Sequence, residues 1–184
     1  MEVPVDVIEL IMDDHREVER LFDELKNSPR KRPLLTPVVC ALLVAHSRAE
    51  EAEVYPVGKR EVGEIEEIEH SQHEHAEAEK LLVELAKADP TSARYDEVLA
   101  KVVEAVTHHV REEETHVLPR MHAALDDSRR AELGEAFAAS RARHLGDQPG
   151  EATKQELLQQ ARNAGIDGTS GMTRDQLVKA VQSS

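Results

Sequence analysis

His46-Ser47-Arg48-Ala49-Glu50-Glu51-Ala52-Glu53-Val54-Tyr55-Pro56 occurs twice in this chain. The second copy reads His109-Val110-Arg111-Glu112-Glu113-Glu114-Thr115-His116-Val117-Leu118-Pro119. Both copies keep His, Arg, Glu-Glu, Val and Pro at the same offsets, so each holds a His and a Glu at i and i+4. On a helix that spacing stacks the two side chains on one face. An imidazole and a carboxylate so placed can grip one metal ion, or an ion and its neighbour. A purely structural helix has no comparable reason to repeat them.

A second repeat interlocks with the first. His15-Arg16-Glu17-Val18-Glu19-Arg20-Leu21-Phe22-Asp23-Glu24-Leu25 matches His75-Ala76-Glu77-Ala78-Glu79-Lys80-Leu81-Leu82-Val83-Glu84-Leu85. The two units alternate along the chain. Each pair reads as a helical hairpin, and two hairpins make a bundle. The expected architecture is all-α: an up-down-up-down four-helix bundle with an added fifth helix and a small C-terminal helix–loop–helix module.

Composition agrees. A chain of 184 residues can bury one good core and carry a small second module. Aromatics make up 2% and Trp is absent, while Ala, Leu, Val, Glu and Arg dominate, which favours helices. The net charge of −14 argues against electrostatic binding of nucleic acid or an anionic membrane by the protein as a whole. No apolar run is long enough to span a membrane. Met1 to Asp6 is acidic and lacks a basic n-region, so no secretory signal is expected and the cytoplasm is the default location. The single Cys40 sits among Val38, Val39, Ala41 and Leu42 and reads as an inert buried thiol. Ten His residues are the unusual feature, and most fall in or beside the repeats.

In order, helix 1 is predicted from about Val5 to Lys26, with Pro4 in its first turn. Helix 2 starts at the N-cap Thr36 with Pro37 next and ends near Tyr55-Pro56. Helix 3 runs from about Glu64 to Ala88, and helix 4 from Thr91 or Ser92 to Pro119. The fifth helix covers Ser128 to about His144. Residues 1–146 form the bundle. Residues 147–184 are a linker and a separate module, with Thr153 and Thr173 as helix caps.

Each of the four main helices then aims one His inward: His15, His46, His75 and His109. Helices 2 and 4 add Glu50 and Glu113. In helix 3 the apolar centre falls near Ser71, Ala78, Leu82 and Leu85, which puts His70 and His75 on its two flanks. A lone His on an apolar face is most often a satisfied core histidine. Four in register with two buried carboxylates shift that balance, because burying such charges without counter-ions costs several kcal/mol each. Five His and two carboxylates exceed the four donors of a structural zinc and suit two metals bridged by carboxylates. Imidazole-rich ligation of this kind favours iron over magnesium or calcium, with zinc or manganese as lesser options.

The pattern resembles the hemerythrin-like family, also called the HHE cation-binding domain, over about Val5 to Pro119 and the fifth helix. The resemblance implies an oxo- or hydroxo-bridged pair of iron ions held by His15, His46 with Glu50, His109 with Glu113, and two helix-3 histidines. His70 and His75 are the helix-3 choice and His73 the substitute. Oxygen-carrying members place an Asp five residues after the helix-4 His and two helix-3 His four apart. Here Glu113 stands at i+4, and His70 to His75 is a five-residue step, so the likeness does not extend to the carriers' ligand spacing.

Tyr55 has Leu118 as its counterpart in the second copy. It reads either as an ordinary packed tyrosine at a bundle end, or as a tyrosinate ligand or redox-active phenol beside the metals. Ideal helix geometry points it away from His46, unless Pro56 ends the helix and turns the ring inward. His108 should point sideways, His116 could lie behind a ligand, and His122 and His144 read as surface residues. The acidic runs read as mostly solvated faces.

Within the family, a soluble member with a tyrosine near the site resembles those linked to peroxide and nitric-oxide chemistry. The expected function is a di-iron oxidoreductase consuming hydrogen peroxide, with nitric oxide as a candidate reductant and Tyr55 tuning the site or donating an electron. The rival is an oxygen or nitric-oxide sensor or an iron store. Residues 151–184 resemble the small helix–loop–helix of the transcription terminator Rho's N-terminal region and SAP-like domains. Some of those touch nucleic acid, but this copy is poor in basic residues.

Overall fold

The computed structural model describes residues 5–183, and every regular element among them is helical. Helix α1 covers Val7–Asn27, opened by Asp6, whose carboxylate accepts the Ile8 amide. Pro4 lies outside the described residues. A short 3₁₀ turn, Pro29–Lys31, leads into α2, Arg32–Ala49. This start is earlier than expected. Pro33 takes the first-turn position, and the buried Arg32 donates to the Leu25 and Pro90 carbonyls and pairs with Asp96, tying α2 to both neighbouring turns. Thr36 is no cap: its hydroxyl meets the Tyr95 hydroxyl at 2.6 Å.

Helix 2 also fails to stop at Pro56. It runs on through a π-turn, Glu50–Val54, a short α3, Tyr55–Val57, and a second π-turn, Gly58–Val62. The physical cause is Pro56, which has no N–H and whose ring crowds the carbonyl four residues back. The Tyr55 amide reaches the Glu50 carbonyl instead, an i→i+5 bond. Gly63, at φ +84°, finally ends the rod in a left-handed conformation that glycine adopts without strain. Helices α4, Ile65–Lys87, and α5, Ala93–Glu112, follow, the latter capped by Ser92. The second repeat copies the first: a π-turn, Glu113–Val117, precedes Pro119, and α6, Leu118–Ala124, continues beyond it.

Helix α7, Asp127–His144, packs against α1 and α2. Helices α8, Lys154–Asn163, and α9, Arg174–Ser183, pair with each other and rest on α4. Thr153 closes a capping box on α8, and the Thr173 hydroxyl accepts the Gln176 amide, as expected.

The bundle core is layered. At one end Val18, Leu21, Phe22, Leu25, Leu85 and Val102 belong to one apolar cluster, with Cys40, whose thiol burial pushes up to about 11. At the other, Val7, Ile11, Tyr55, Ile68, Met121 and Phe137 belong to a second. The conspicuous His and Glu residues occupy the level between them. Gly134 on α7 lets the backbone of Val5 come close, since a Cβ there would sit 2.1 Å from the Val5 carbonyl oxygen. Gly134→Ala should therefore push α7 off α1 and cost about 1–3 kcal/mol. We expect a melting temperature lower by roughly 5 °C, read by circular dichroism.

Candidate metal centre

Four helices converge on one polar level. The Nε2 of His46 lies 3.2 Å from Glu50 Oε2, and that of His75 lies 3.3 Å from the same oxygen. On the other side, Glu113 Oε2 lies 3.3 Å from His15 Nε2 and 3.8 Å from His109 Nε2. The arrangement is two-fold. Each carboxylate faces one imidazole of its own rod and one from the partner hairpin. All six side chains are buried, with both carboxylates fully so.

The outward nitrogens repeat the symmetry. His46 Nδ1 donates to Asp14 at 3.0 Å, and His109 Nδ1 to Glu74 at 2.9 Å. His15 Nδ1 donates to Glu114 at 2.9 Å, and His75 Nδ1 to Glu51 at 3.2 Å. Asp14 and Glu74 occupy the same place in their repeat, as do Glu51 and Glu114. With each outer N–H spent on a carboxylate, every Nε2 is left as a lone-pair donor aimed inward, which is how metal-ligating imidazoles are held.

The interior is short of cations. The Nε2 atoms of His15 and His46 and both oxygens of Glu50 and of Glu113 are buried and make no aligned hydrogen bond. The Nε2 atoms of His75 and His109 face each other at 3.1 Å. Leaving so many lone pairs unpaired costs several kcal/mol each. Bound cations remove that cost, and the donors divide into two groups sharing Glu50: His15, His46, Glu50 and Glu113, and Glu50, His75 and His109. The residues fit a carboxylate-bridged pair of metal ions.

Without metal, protons do the cations' work. Burial disfavours charge on His46, but Glu50 and Asp14 outweigh it and lift its pKa to about 10. His75 rises to about 9 against the same penalty, through Glu50 and Glu51. Glu50, though burial opposes its charge, is held well below the usual carboxylate range by His46 and His75.

Tyr55 is brought in. Its ring is fully buried, and its hydroxyl lies 3.0 Å from His75 Nε2. The π-turn turns the ring inward, because an i→i+5 turn winds more slowly per residue than an α-turn; Pro56 acts by forcing that turn and not by ending the helix. Burial, with Glu50 and Glu113 adding to it, pushes the phenol well above its ordinary value and keeps it neutral in the metal-free fold.

His70 is not brought in. It stands exposed on α4 with Nε2 3.3 Å from Glu74, and His73 pairs loosely with Glu77 at 3.7 Å. A five-residue step turns about 140° around a helix, so with His75 inward His70 faces out. Ser71 and Gln72 fill the interior beside His75. His116 is also on the surface, pairing with Glu112, and does not lie behind a ligand. Nor are the acidic runs all solvated. Glu51 is buried and held at about 2, where burial is outweighed first by Arg48 and then by His75 and Gln72.

Two supports were missed in the sequence. One is the set of outer carboxylates, legible as an acid directly before His15 and His75 and as the second Glu of each Glu-Glu pair. The other comes from α8. Gln160 donates to Glu51 Oε2 at 2.9 Å, and Asn163 donates to the Glu51 carbonyl and to Gln72. No local pattern marked these contacts.

Comparison with known proteins places this geometry. The sequence model of the hemerythrin HHE cation binding domain matches residues 6–121. A DNA nickase of Nostoc sp. is 25% identical over 164 residues, covering 88% of this chain and 44% of that protein, so the chain spans less than half the relative's length. A hemerythrin HHE cation binding domain-containing protein from Mycobacterium kansasii shares the fold. Its crystal structure aligns with a TM-score of 0.68 at 22% identity, over 96% of this chain and 99% of that one.

Metal must displace the protons on His46 and His75. Loading at pH 7 should therefore release protons, and affinity should rise with pH until these groups titrate near 9 and 10. Calorimetry in two buffers of different ionisation enthalpy reads the release; binding heats independent of buffer would rule it out.

Proposed function

This chain belongs to the hemerythrin HHE cation-binding family, and from that premise we propose a di-iron oxidoreductase that consumes hydrogen peroxide. His15, His46, Glu50, His75, His109 and Glu113 are the residues we assign to the metals. A pair of iron ions would supply Lewis acidity and redox capacity. The overall reaction balances as two peroxides giving two waters and one dioxygen; with nitric oxide as the alternative reductant in place of the second peroxide, one peroxide and two nitric oxide molecules give two molecules of nitrous acid.

The observation that supports turnover over plain binding is Tyr55. A neutral phenol 3.0 Å from His75 can donate a hydrogen bond or a hydrogen atom inside the site, and the equivalent Leu118 cannot. The rest of the site protects that chemistry. A cavity of about 20 Å³, lined by the four histidines with Val18, Leu43, Val106 and Val110 among its walls, has room for about one water-sized molecule. Peroxide and diatomics match that scale better than larger substrates. Among the described residues no helix is long and apolar enough to cross a membrane, and we place the activity in the cytoplasm.

One observation favours a sensor as the second reading. Gln160 and Asn163 of α8 hold Glu51, which holds His75, so a change at the centre has a short polar route to the C-terminal helices. The route would also serve a module of the kind found in Rho and SAP-like domains. A nucleic-acid role for residues 151–184 has less behind it. Arg174 there is turned onto the carbonyls of Gly150 and Ala152, and the nicking named for the Nostoc relative belongs to a protein more than twice as long.

Iron-loaded protein should consume peroxide with release of oxygen. Tyr55→Phe should keep its iron and slow turnover by roughly 10²-fold, whereas His109→Ala should lose both iron and turnover. Peroxide consumption by His109→Ala at the wild-type rate would defeat the enzyme reading. Altered hydrogen exchange in α8 and α9 on adding nitric oxide, without turnover, would favour the sensor.

A further inference from the structure

The two halves of the centre differ on the outside at Asp14 and its repeat-mate Glu74. In the first half, Asp14 spends one oxygen on His46 Nδ1 and the other on the Arg141 guanidinium of α7, at 2.7 Å. Its repeat-mate Glu74 spends Oε2 on His109 Nδ1. Among the described residues no arginine meets the remaining oxygen. Instead, His70 Nε2 from α4 and His108 Nε2 from α5 each lie 3.3 Å from Glu74 Oε1. That oxygen is shielded from water and makes no aligned hydrogen bond. The first-half residues at the positions of His70 and His108 are Leu10 and Ala45, so this trio has no counterpart in the repeat.

Where Asp14 has a permanent cation, Glu74 has two lone-pair donors pointed at the same spot. The three ligand atoms lie within 4.8 Å of one another. Both imidazoles are more than half exposed, at 59% and 58%, so coordination positions on the outer side would be open to water. Two histidines and one carboxylate with open positions form a donor set for zinc, cobalt or ferrous iron and a poor one for magnesium or calcium. We propose that His70, Glu74 and His108 form an outer site for one divalent transition-metal ion, separated from the buried centre by the Glu74 carboxylate and the His109 ring. The ordinary alternative is a solvated His–Glu patch. It accounts for an i,i+4 contact between His70 and Glu74, but not for an imidazole from a second helix meeting the same sheltered oxygen.

The assignment stands whether or not the buried centre turns over peroxide. The test is a titration of untagged, metal-free, full-length protein with cobalt(II), followed by calorimetry and visible absorption. Three equivalents are expected: two at the buried centre and a weaker third. His70→Ala/His108→Ala should abolish the third, leave the other two and their absorption unchanged, and keep the wild-type melting temperature, because neither ring is packed. His46→Ala should weaken the buried equivalents and keep the outer one, which separates a failure of this inference from a failure of the buried-centre reading. The inference is overturned if the double variant binds as many equivalents as wild type, or if wild type takes up no more than the double variant does.

Discussion

Two carboxylates with no exposure, Glu50 and Glu113, stand among four imidazoles in the middle of a helical bundle. Burying that much unpaired polarity is the constraint every other feature answers to. Apolar layers above and below keep water out, which raises the cost of leaving the level empty and strengthens any ion placed there. Metal binding and folding are therefore parts of one equilibrium. The protons that His46 and His75 retain at neutral pH are a partial substitute, neutralising the carboxylates until cations replace them.

The prolines shape the site more than their distance from the ligands suggests. Pro56 and Pro119 each deny the rod one amide and crowd one carbonyl, and the chain responds with a π-turn beginning at the buried carboxylate itself, Glu50 or Glu113. The helix keeps its direction while its faces rotate. In the first copy that rotation carries Tyr55 to His75; in the second it carries Leu118 into the apolar layer. One backbone device, repeated, thus sets a phenol beside the histidines in one copy and an alkyl side chain in the other. The difference rests on a single side chain.

Much of this was legible because the sequence carries two copies of the same hairpin. The i,i+4 His–Glu pairs identified two of the imidazoles and the second repeat the other two, with their inward faces, since periodicity decides which way a helical side chain points. His70 failed that reading although Ser71, Leu82 and Leu85 of the expected apolar centre are buried: it stands about 100° from Ser71 around the helix and His75 only about 40°, so the two flanks are not equivalent. The length of α2 failed for a different reason. Prolines that ordinarily end helices are absorbed here by π-turns, and the buried Arg32 holds the start together through contacts distant in sequence. Glu51 looked solvated because its partners come from other elements, His75 and Gln72 from α4 and Gln160 from a segment that reads as separate, with only Arg48 near it in sequence.

The same repeat shows where the molecule departs from symmetry. On the first half, α7 sets Phe137 edge-on against His46, 5.8 Å between ring centres, and Arg141 against Asp14. That side is packed and charge-balanced by the protein alone. Among the described residues the second half has no such helix over His109. Its outer face carries half-exposed imidazoles around a carboxylate, and α8 reaches instead to the flank beside His75. The two faces of the centre are therefore unlike: α7 covers His46, α8 covers the flank beside His75, and the exposed His70 and His108 stand outside His109.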